Sequence, residues 1–224
     1  MSNYSEPVIY QLKVVLLGIS PMIWRRLLVK SDSTIEDLHY ILQIAMGWED
    51  IHLHYFTIHG QQYGVSQLGG IDFHTNASLI KLSQFRFQKK EKFLYEYDLS
   101  TSPALGVWRH WWQHQIRVEA ILPHEQNQTL PICISGKGIC PPENCGGAWG
   151  FMKARDEFSV HKFLELLSSL LEDKNIEIDR EEIAQLQTWL KVYQNKFDRQ
   201  LVNKRLKQYS QGDKESILFK QEIL

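Results

Sequence analysis

The chain has 224 residues, of which 43% are hydrophobic and 23% charged, and its formal net charge at neutral pH is −1. These values are typical of a folded globular protein and exclude extensive disorder, a collagen-like repeat or a coiled coil over most of the chain. The charge balance also lacks the basic excess of a nucleic-acid coat protein, although a local basic face is compatible with it.

Cysteine content and the N-terminal sequence indicate where the protein acts. Three cysteines are too few for a disulfide framework and favour a reducing compartment. Residues 1–11 contain no basic segment followed by an apolar one, and the sequence has no run of about 18 apolar residues. We therefore expect a cytoplasmic protein that does not bind membranes. No glycine-rich phosphate-binding motif occurs, so we expect no nucleotide cofactor.

The N-terminal part of the sequence predicts a hairpin, a helix and a returning strand. Residues 8–17 are rich in strand-forming side chains, and a Gly-Ile-Ser-Pro turn separates them from a second apolar run. Ser33 or Thr34 is suited to cap a helix that ends at Gly47, a residue favoured in left-handed helix ends. With a short strand over 53–58, these elements predict a β-grasp-like start to the fold.

Three histidines accompany these elements. On an extended strand, His52 and His54 would share a face, which suits a metal pair. The alternative, which we favour, is a core face with hydrogen-bonded imidazoles. His39 lies beside the apolar stripe of the predicted helix, where packing at the helix edge is the simplest interpretation.

An aromatic insertion lies between two predicted strands. Residues 92–99 and 114–122 alternate as strands do, and we expect them to pair. The intervening segment is longer than a hairpin requires. Its candidate contact residues are Trp108, Arg109, Trp111 and Trp112. Aromatic and arginine side chains dominate many protein and nucleic-acid contacts, so we expect these four to bind a partner. Packing is the alternative for one or two of the tryptophans.

Residues 131–150 are dominated by proline, glycine and cysteine, which predicts an ordered loop without regular structure. Cys133, Cys140 and Cys145 offer three soft ligands, and a structural zinc ion needs a fourth, for which His114 and His124 are candidates. Zinc is the one cofactor that the sequence suggests. The spacing is not that of paired zinc-ribbon cysteines, so buried thiols packed under the loop are the alternative. A catalytic thiolate at a helix N-terminus is a third interpretation.

The remaining sequence predicts helices. Ser159 is suited to cap the first, a second runs over about 179–193, and Asp198 is suited to cap a third. Four basic residues around the last helix are candidates for phosphate contacts: Lys196, Arg199, Lys204 and Arg205. A solvated helix face is the alternative, and we favour it.

Several of these motifs together resemble the plasmid pRiA4b open-reading-frame-three family. The residues that carry the resemblance are Tyr10 to Val14, Gly18 to Arg26, Leu38-His39, Met46 to Trp48, His52 to His54, Tyr97-Asp98, Trp112 to His114, Cys133 to Gly147, Trp189 and Phe197-Asp198. The resemblance implies a plasmid or mobile-element context but no established activity. Two departures from the family pattern remove acidic groups: residues 99–111 replace a short turn, and Asn144 replaces an aspartate.

We therefore expect one α+β domain over residues 1–210, followed by a tail over 211–224. It would combine a β-grasp-like mixed sheet (8–63), a strand pair with a Cys/Gly/Pro loop (92–150) and a C-terminal helical layer (158–208). The expected function is that of a non-enzymatic accessory or binding protein. The alternatives are a zinc-dependent enzyme built on the cysteine loop, with Glu143 or Glu119 as general base, and nucleic-acid binding through the basic helices.

Overall fold

In the computed structural model the described residues are 7–64, 76–99, 111–124, 128–172, 187, 189 and 196–213. Seven strands form one sheet. They are β1 (Val8–Leu16), β2 (Ile23–Lys30), β3 (His54–Ile58), β4 (Gln61–Tyr63), β5 (Lys92–Tyr97), β6 (Trp112–Pro123) and β7 (Ile132–Lys137). Their order in the sheet is β4-β3-β5-β6-β1-β2-β7. The described helices are α1 (Ile35–Met46), α2 (Gly147–Glu157), α3 (Val160–Glu172) and α4 (Arg199–Ser210), with short 3₁₀ helices over Ala77–Leu79 and Leu82–Phe85.

The α+β class is confirmed, but the mixed sheet is corrected to an antiparallel one. All neighbouring pairs of the seven strands run antiparallel, including the predicted hairpin of β1 with β2 and the predicted pair of β5 with β6. The β-grasp-like arrangement is not confirmed. After α1 the chain enters β3, which pairs with β4 and β5, so that two strands separate it from β1.

Helix α1 begins and ends at the predicted residues. The Thr34 hydroxyl accepts a hydrogen bond from the Asp37 N–H at 3.0 Å, and the Asp37 carboxylate accepts one from the Thr34 N–H at 2.8 Å. This reciprocal pair satisfies two N–H groups at the helix start. At the other end, Gly47 has a φ of 86°, a left-handed conformation that glycine adopts without steric cost.

The main core lies between one face of the sheet and the helices α1, α2 and α4. A smaller cluster of Ile9, Leu28 and Leu130 lies on the opposite face, as the alternation of strand side chains requires. Helix α4 begins at its predicted cap, Asp198, whose carboxylate accepts from the N–H groups of the first turn. It is held to β7 by two hydrogen bonds between Asn203 and the Cys133 backbone, at 2.7 and 3.0 Å.

Some predictions fall outside the described residues. Most of the helix predicted over 179–193 does so, and only Gln187 and Trp189 of that range are placed, both as helix. Of the predicted tail, residues beyond 213 also fall outside. Among the helices that the structure describes, none has the length and apolar character needed to cross a bilayer.

Candidate metal centre

Two histidines and one aspartate converge between α1 and β3. His39 belongs to α1, Asp50 to the connection that follows it, and His54 is the first residue of β3. One potential ligand atom from each lies within 4.8 Å of the other two, and no other described residues form such a group. The rings of His39 and His54 stack with their centroids 3.5 Å apart, and His39 Nε2 lies 2.7 Å from Asp50 Oδ1. Two imidazoles and a carboxylate form a ligand set used for zinc and for non-haem iron.

Helical spacing places the first ligand. Ile35, His39 and Gln43 follow one another at four-residue steps on α1, and all three are buried. On the sheet side, His54 stands opposite Tyr97 in the register between β3 and β5. The two histidines thus face each other across the packing between the helix and the sheet.

The segment carrying Asp50 has no regular structure, yet its backbone is held at every residue from 49 to 52. Four consecutive N–H groups donate to side chains. Glu49 donates to Glu143 (2.9 Å), Asp50 to Gln43 (3.2 Å), and Ile51 and His52 both donate to the Tyr97 hydroxyl (3.0 and 3.3 Å). The Tyr97 hydroxyl in turn donates to Glu143. These side chains, from α1, β5 and the loop before α2, fix the left-handed backbone of Asp50, whose φ is 56°.

A hydrogen-bond chain orients His39. The Gln43 side-chain amide donates to the Tyr95 hydroxyl at 2.8 Å, and that hydroxyl lies 2.8 Å from His39 Nδ1. Because the Gln43 amide supplies the proton of the hydrogen bond between Gln43 and Tyr95, the Tyr95 hydroxyl can donate its own proton to His39 Nδ1. We therefore assign the imidazole proton to Nε2, where it is donated to Asp50. To bind a metal through Nε2, His39 takes the other tautomer, in which Nδ1–H donates to the Tyr95 hydroxyl. A partner that accepts from the second ring N–H is typical of metal-binding histidines.

Burial keeps both imidazoles neutral. It lowers the pKa of His39 to about 3, and burial together with the neighbouring His39 lowers the pKa of His54 well below its usual value. Burial raises the pKa of Asp50, while His54 acts in the opposite direction. A neutral imidazole is the form that binds metal. Because both histidines are already neutral at neutral pH, no imidazolium has to lose a proton before metal binds.

His52 is not part of this group. Because β3 begins at His54, the two histidines do not form the strand pair considered above. His52 Nε2 lies 2.6 Å from the Asn144 side-chain oxygen, and Nδ1 lies 3.4 Å from Asp98. The expected position of His39 at the helix edge is corrected, because its side chain is only 1% exposed and its ring packs against His54 and Tyr95.

The five predicted zinc ligands do not gather in one group within the described residues. Cys133 lies on β7, with its thiol 3.4 Å from the Ser135 carbonyl oxygen. Cys140 contacts Met46 and Arg25 instead, with its sulfur 3.2 Å from the methionine sulfur. His114 lies on β6 against the rings of Trp48 and Tyr95, whereas His124 follows the end of β6.

The three thiols also lack the character of thiolates. Burial raises the pKa of Cys133 and Cys140, and it raises that of Cys145 to about 12. This is the opposite of the shift found at reactive cysteines. Of the two proposed general bases, Glu119 pairs with Arg26 at 2.6 Å, which lowers its pKa. Glu143 is engaged with Tyr97 and the Glu49 N–H.

The predicted partner contacts have different outcomes. Trp108 and Arg109 lie outside the described residues, and Trp111 is half-buried. Trp112 is corrected to a core residue, since its side chain is fully buried and its indole N–H donates to the Glu143 carbonyl oxygen at 3.0 Å. Among the predicted phosphate contacts, three are exposed and one is half-buried. The exposed ones are Lys196, Arg199 and Lys204, and the half-buried one is Arg205.

Sequence reasoning missed Gln43, Asp50 and Tyr95. The four-residue step from His39 to Gln43 is a signal that could have identified two polar groups on one buried helical line. Asp50 stands in an irregular connection, so no periodicity marks it. Tyr95 alternates with Phe93 and Tyr97 along β5, which resembles ordinary core packing.

Three comparisons with known proteins found matches, and one of them names a family. A family model described as "Plasmid pRiA4b ORF-3-like protein" matches residues 8–205. An uncharacterised protein, y4hQ, from Sinorhizobium fredii is 30% identical over 149 residues, which are 65% of this chain and 70% of that protein. The crystal structure of a protein of unknown function from Methanosarcina mazei Go1 superimposes with a TM-score of 0.59 at 32% identity. That match covers 80% of this chain and 97% of the other. None of these descriptions names an activity.

Proposed function

The chain belongs to the plasmid pRiA4b ORF-3-like family, and we propose that its function is to hold one divalent transition-metal ion through His39, Asp50 and His54. The observation that carries this proposal is the convergence of three ligand atoms within 4.8 Å of one another. The neutral imidazoles and the hydrogen bond on His39 Nδ1 support it.

Three protein ligands leave a coordination position open in a tetrahedral site. This number is typical of catalytic zinc centres, whereas structural zinc sites have four protein ligands. An ion held in this way can act as a Lewis acid on a bound substrate. Metal-assisted chemistry is therefore the proposed activity. The accessory role in a plasmid or mobile-element context stays a prediction from the family resemblance, as do the phosphate contacts of the basic residues.

The proposal is tested by titrating the metal-free protein with Co²⁺ and following visible absorption. We expect one ion per chain. His54→Ala is expected to weaken binding by more than about 100-fold, because loss of an outer partner alone costs about 10- to 100-fold. His52→Ala is the matched control, since it removes a neighbouring histidine that is outside the group. Equal binding by wild type and His54→Ala would contradict the proposal, and loss of binding in Cys140→Ser would favour the cysteine loop instead.

A second variant tests the hydrogen-bond chain behind His39. Tyr95→Phe keeps the ring and removes the hydroxyl that contacts Nδ1, and we expect metal affinity to fall by about 10-fold or more. Tyr10→Phe, which removes a hydroxyl elsewhere in the same core, is expected to leave the affinity unchanged. If both variants bind Co²⁺ as tightly as the wild type, Tyr95 does not orient His39.

A further inference from the structure

A cavity of about 900 Å³ lies beside the metal centre and shares none of its three ligands. It is bounded by the end of α1, by residues 139–145 and by the start of α4. Its walls are mainly apolar, and the larger side chains are Met46, Trp48, Pro141, Trp189, Phe197 and Val202. Volumes of this size and walls of this kind are typical of sites for small organic ligands.

A buried guanidinium group lies in the wall of this cavity. Arg25 is only 2% exposed. Its Nε donates to the Ala45 carbonyl oxygen at 2.8 Å, and Nη1 donates to the carbonyl oxygens of Trp24 and Lys137 at 2.9 and 3.1 Å. The group stacks on the Phe197 ring, with Cζ 3.8 Å from the ring centroid. Nη2 contacts the Cys140 sulfur at 3.4 Å, and a thiol is a weak acceptor.

Among the residues that the structure describes, no carboxylate pairs with the positive charge of Arg25. Within the described residues, no ion pair includes Arg25. Its carbonyl partners are neutral, and burial raises the pKa of Cys140, which keeps that thiol protonated. The carbonyl of Ala45 belongs to the C-terminal end of α1, whose dipole supplies roughly half a negative charge. The described residues thus surround this buried charge with neutral dipoles and an aromatic ring, and an anionic ligand would neutralise it.

We propose that this cavity binds a small organic anion in which one carboxylate is attached to an apolar body. The carboxylate would pair with the Nη2 edge of Arg25, and the apolar body would lie against Met46, Trp48 and Phe197. Lys196, an exposed residue of the lining, adds a second positive charge. This proposal depends on residues that are not ligands of the proposed metal centre, and it is independent of metal binding.

Three acidic residues also line the cavity, and two of them are already engaged. Glu143 accepts hydrogen bonds from Tyr97 and from the Glu49 N–H, and Asp198 caps α4. The carboxylate of Glu49 is the third. Because like charges repel, the charge of Glu49 opposes anion binding, and its removal should strengthen binding.

The test uses 4-phenylbutyrate as the probe and its uncharged counterpart, 4-phenylbutyramide, as the control. Dissociation constants are measured on the full chain by calorimetric titration, and the Arg25 Nε–H resonance is followed by ¹⁵N NMR. We expect the carboxylate to bind at least about 10-fold more tightly than the amide and to shift that resonance, as a charge-assisted hydrogen bond implies. Arg25→Met is expected to abolish the difference between the two probes.

Arg25 also supports the fold, so two milder variants accompany it. Lys196→Gln is expected to weaken carboxylate binding and Glu49→Gln to strengthen it, each by about two- to threefold, with no effect on the amide. His54→Ala is expected to leave carboxylate binding unchanged, which separates this site from the metal centre. The proposal would be overturned if the wild type bound both probes with equal affinity. It would also be overturned if Arg25→Met, Lys196→Gln and Glu49→Gln all left the affinity for the carboxylate unchanged.

Discussion

Trp112→Ala is expected to lower the free energy of unfolding by about 3–5 kcal/mol, the usual cost of truncating a buried tryptophan. The side chain is 0% exposed and packs against Trp48, with ring centroids 5.4 Å apart. Its replacement would leave a cavity and would remove the hydrogen-bond donor of the Glu143 carbonyl oxygen. Denaturant unfolding of both proteins measures the difference.

Trp149 provides the matched control for this substitution. It is 68% exposed on α2, so Trp149→Ala is expected to change the free energy of unfolding by no more than about 0.5 kcal/mol. A loss below about 1 kcal/mol for Trp112→Ala would mean that Trp112 is not part of the core. The prediction that Trp112 contacts a partner, made from its position in the aromatic insertion, would then be the better interpretation.

His114 is expected to make the metal-free protein less stable as the pH falls from about 6.5 towards 3. Burial lowers its pKa to about 3, whereas an unfolded chain protonates histidine near pH 6.5. Between these values the unfolded state binds a proton that the folded state does not. The contribution of His114 to stability is therefore complete above pH 6.5 and is lost below it with a slope of up to about 1.4 kcal/mol per pH unit.

The variant His114→Phe isolates this contribution. Its free energy of unfolding is expected to depend less steeply on pH than that of the wild type, by about one bound proton between pH 4 and 6. His161→Phe changes a histidine whose side chain is 83% exposed and is expected to retain the wild-type slope. Denaturant unfolding in the presence of EDTA at several pH values provides the comparison. Identical slopes for wild type and His114→Phe would show that His114 titrates normally in the folded state.

The confirmed predictions depend on residue patterns that lie within single segments of the chain. The ends of α1 follow from Thr34 and Gly47, because capping is decided within one helical turn. The pairing of β5 with β6 follows from the alternation of the two segments. The β-grasp-like arrangement was inferred from element order alone, and a hairpin, a helix and a strand in that order are compatible with several sheets. Which strand β3 joins depends on β5, which lies some 35 residues further along the chain.

The candidate site could not be predicted because it also depends on contacts between residues that no local pattern connects. His39 occupies a helical position that also suits a packing residue. Its role in the site depends on contacts with Asp50 and Tyr95, and no periodic pattern in the sequence connects these residues to His39. The cysteines stand out in the sequence, yet the thiols of Cys133 and Cys140 contact different groups. The alternation of side chains along β2 places Arg25 on the buried face of that strand. Sequence reasoning expects an apolar side chain at such a position.

The position of the three proposed ligands along the chain affects the order of folding events. His39, Asp50 and His54 belong to one continuous helix-to-strand segment, whereas β1 and β6 join residues as distant as Val8 and Pro123. Closing a short loop costs less entropy than closing a long one. An ion bound by this segment would therefore link α1 to β3 at a low entropic cost, and β5 and the loop before α2 would complete the site as they pack against it. Metal would then accelerate folding as well as slow unfolding, because the contacts that it stabilises are local ones.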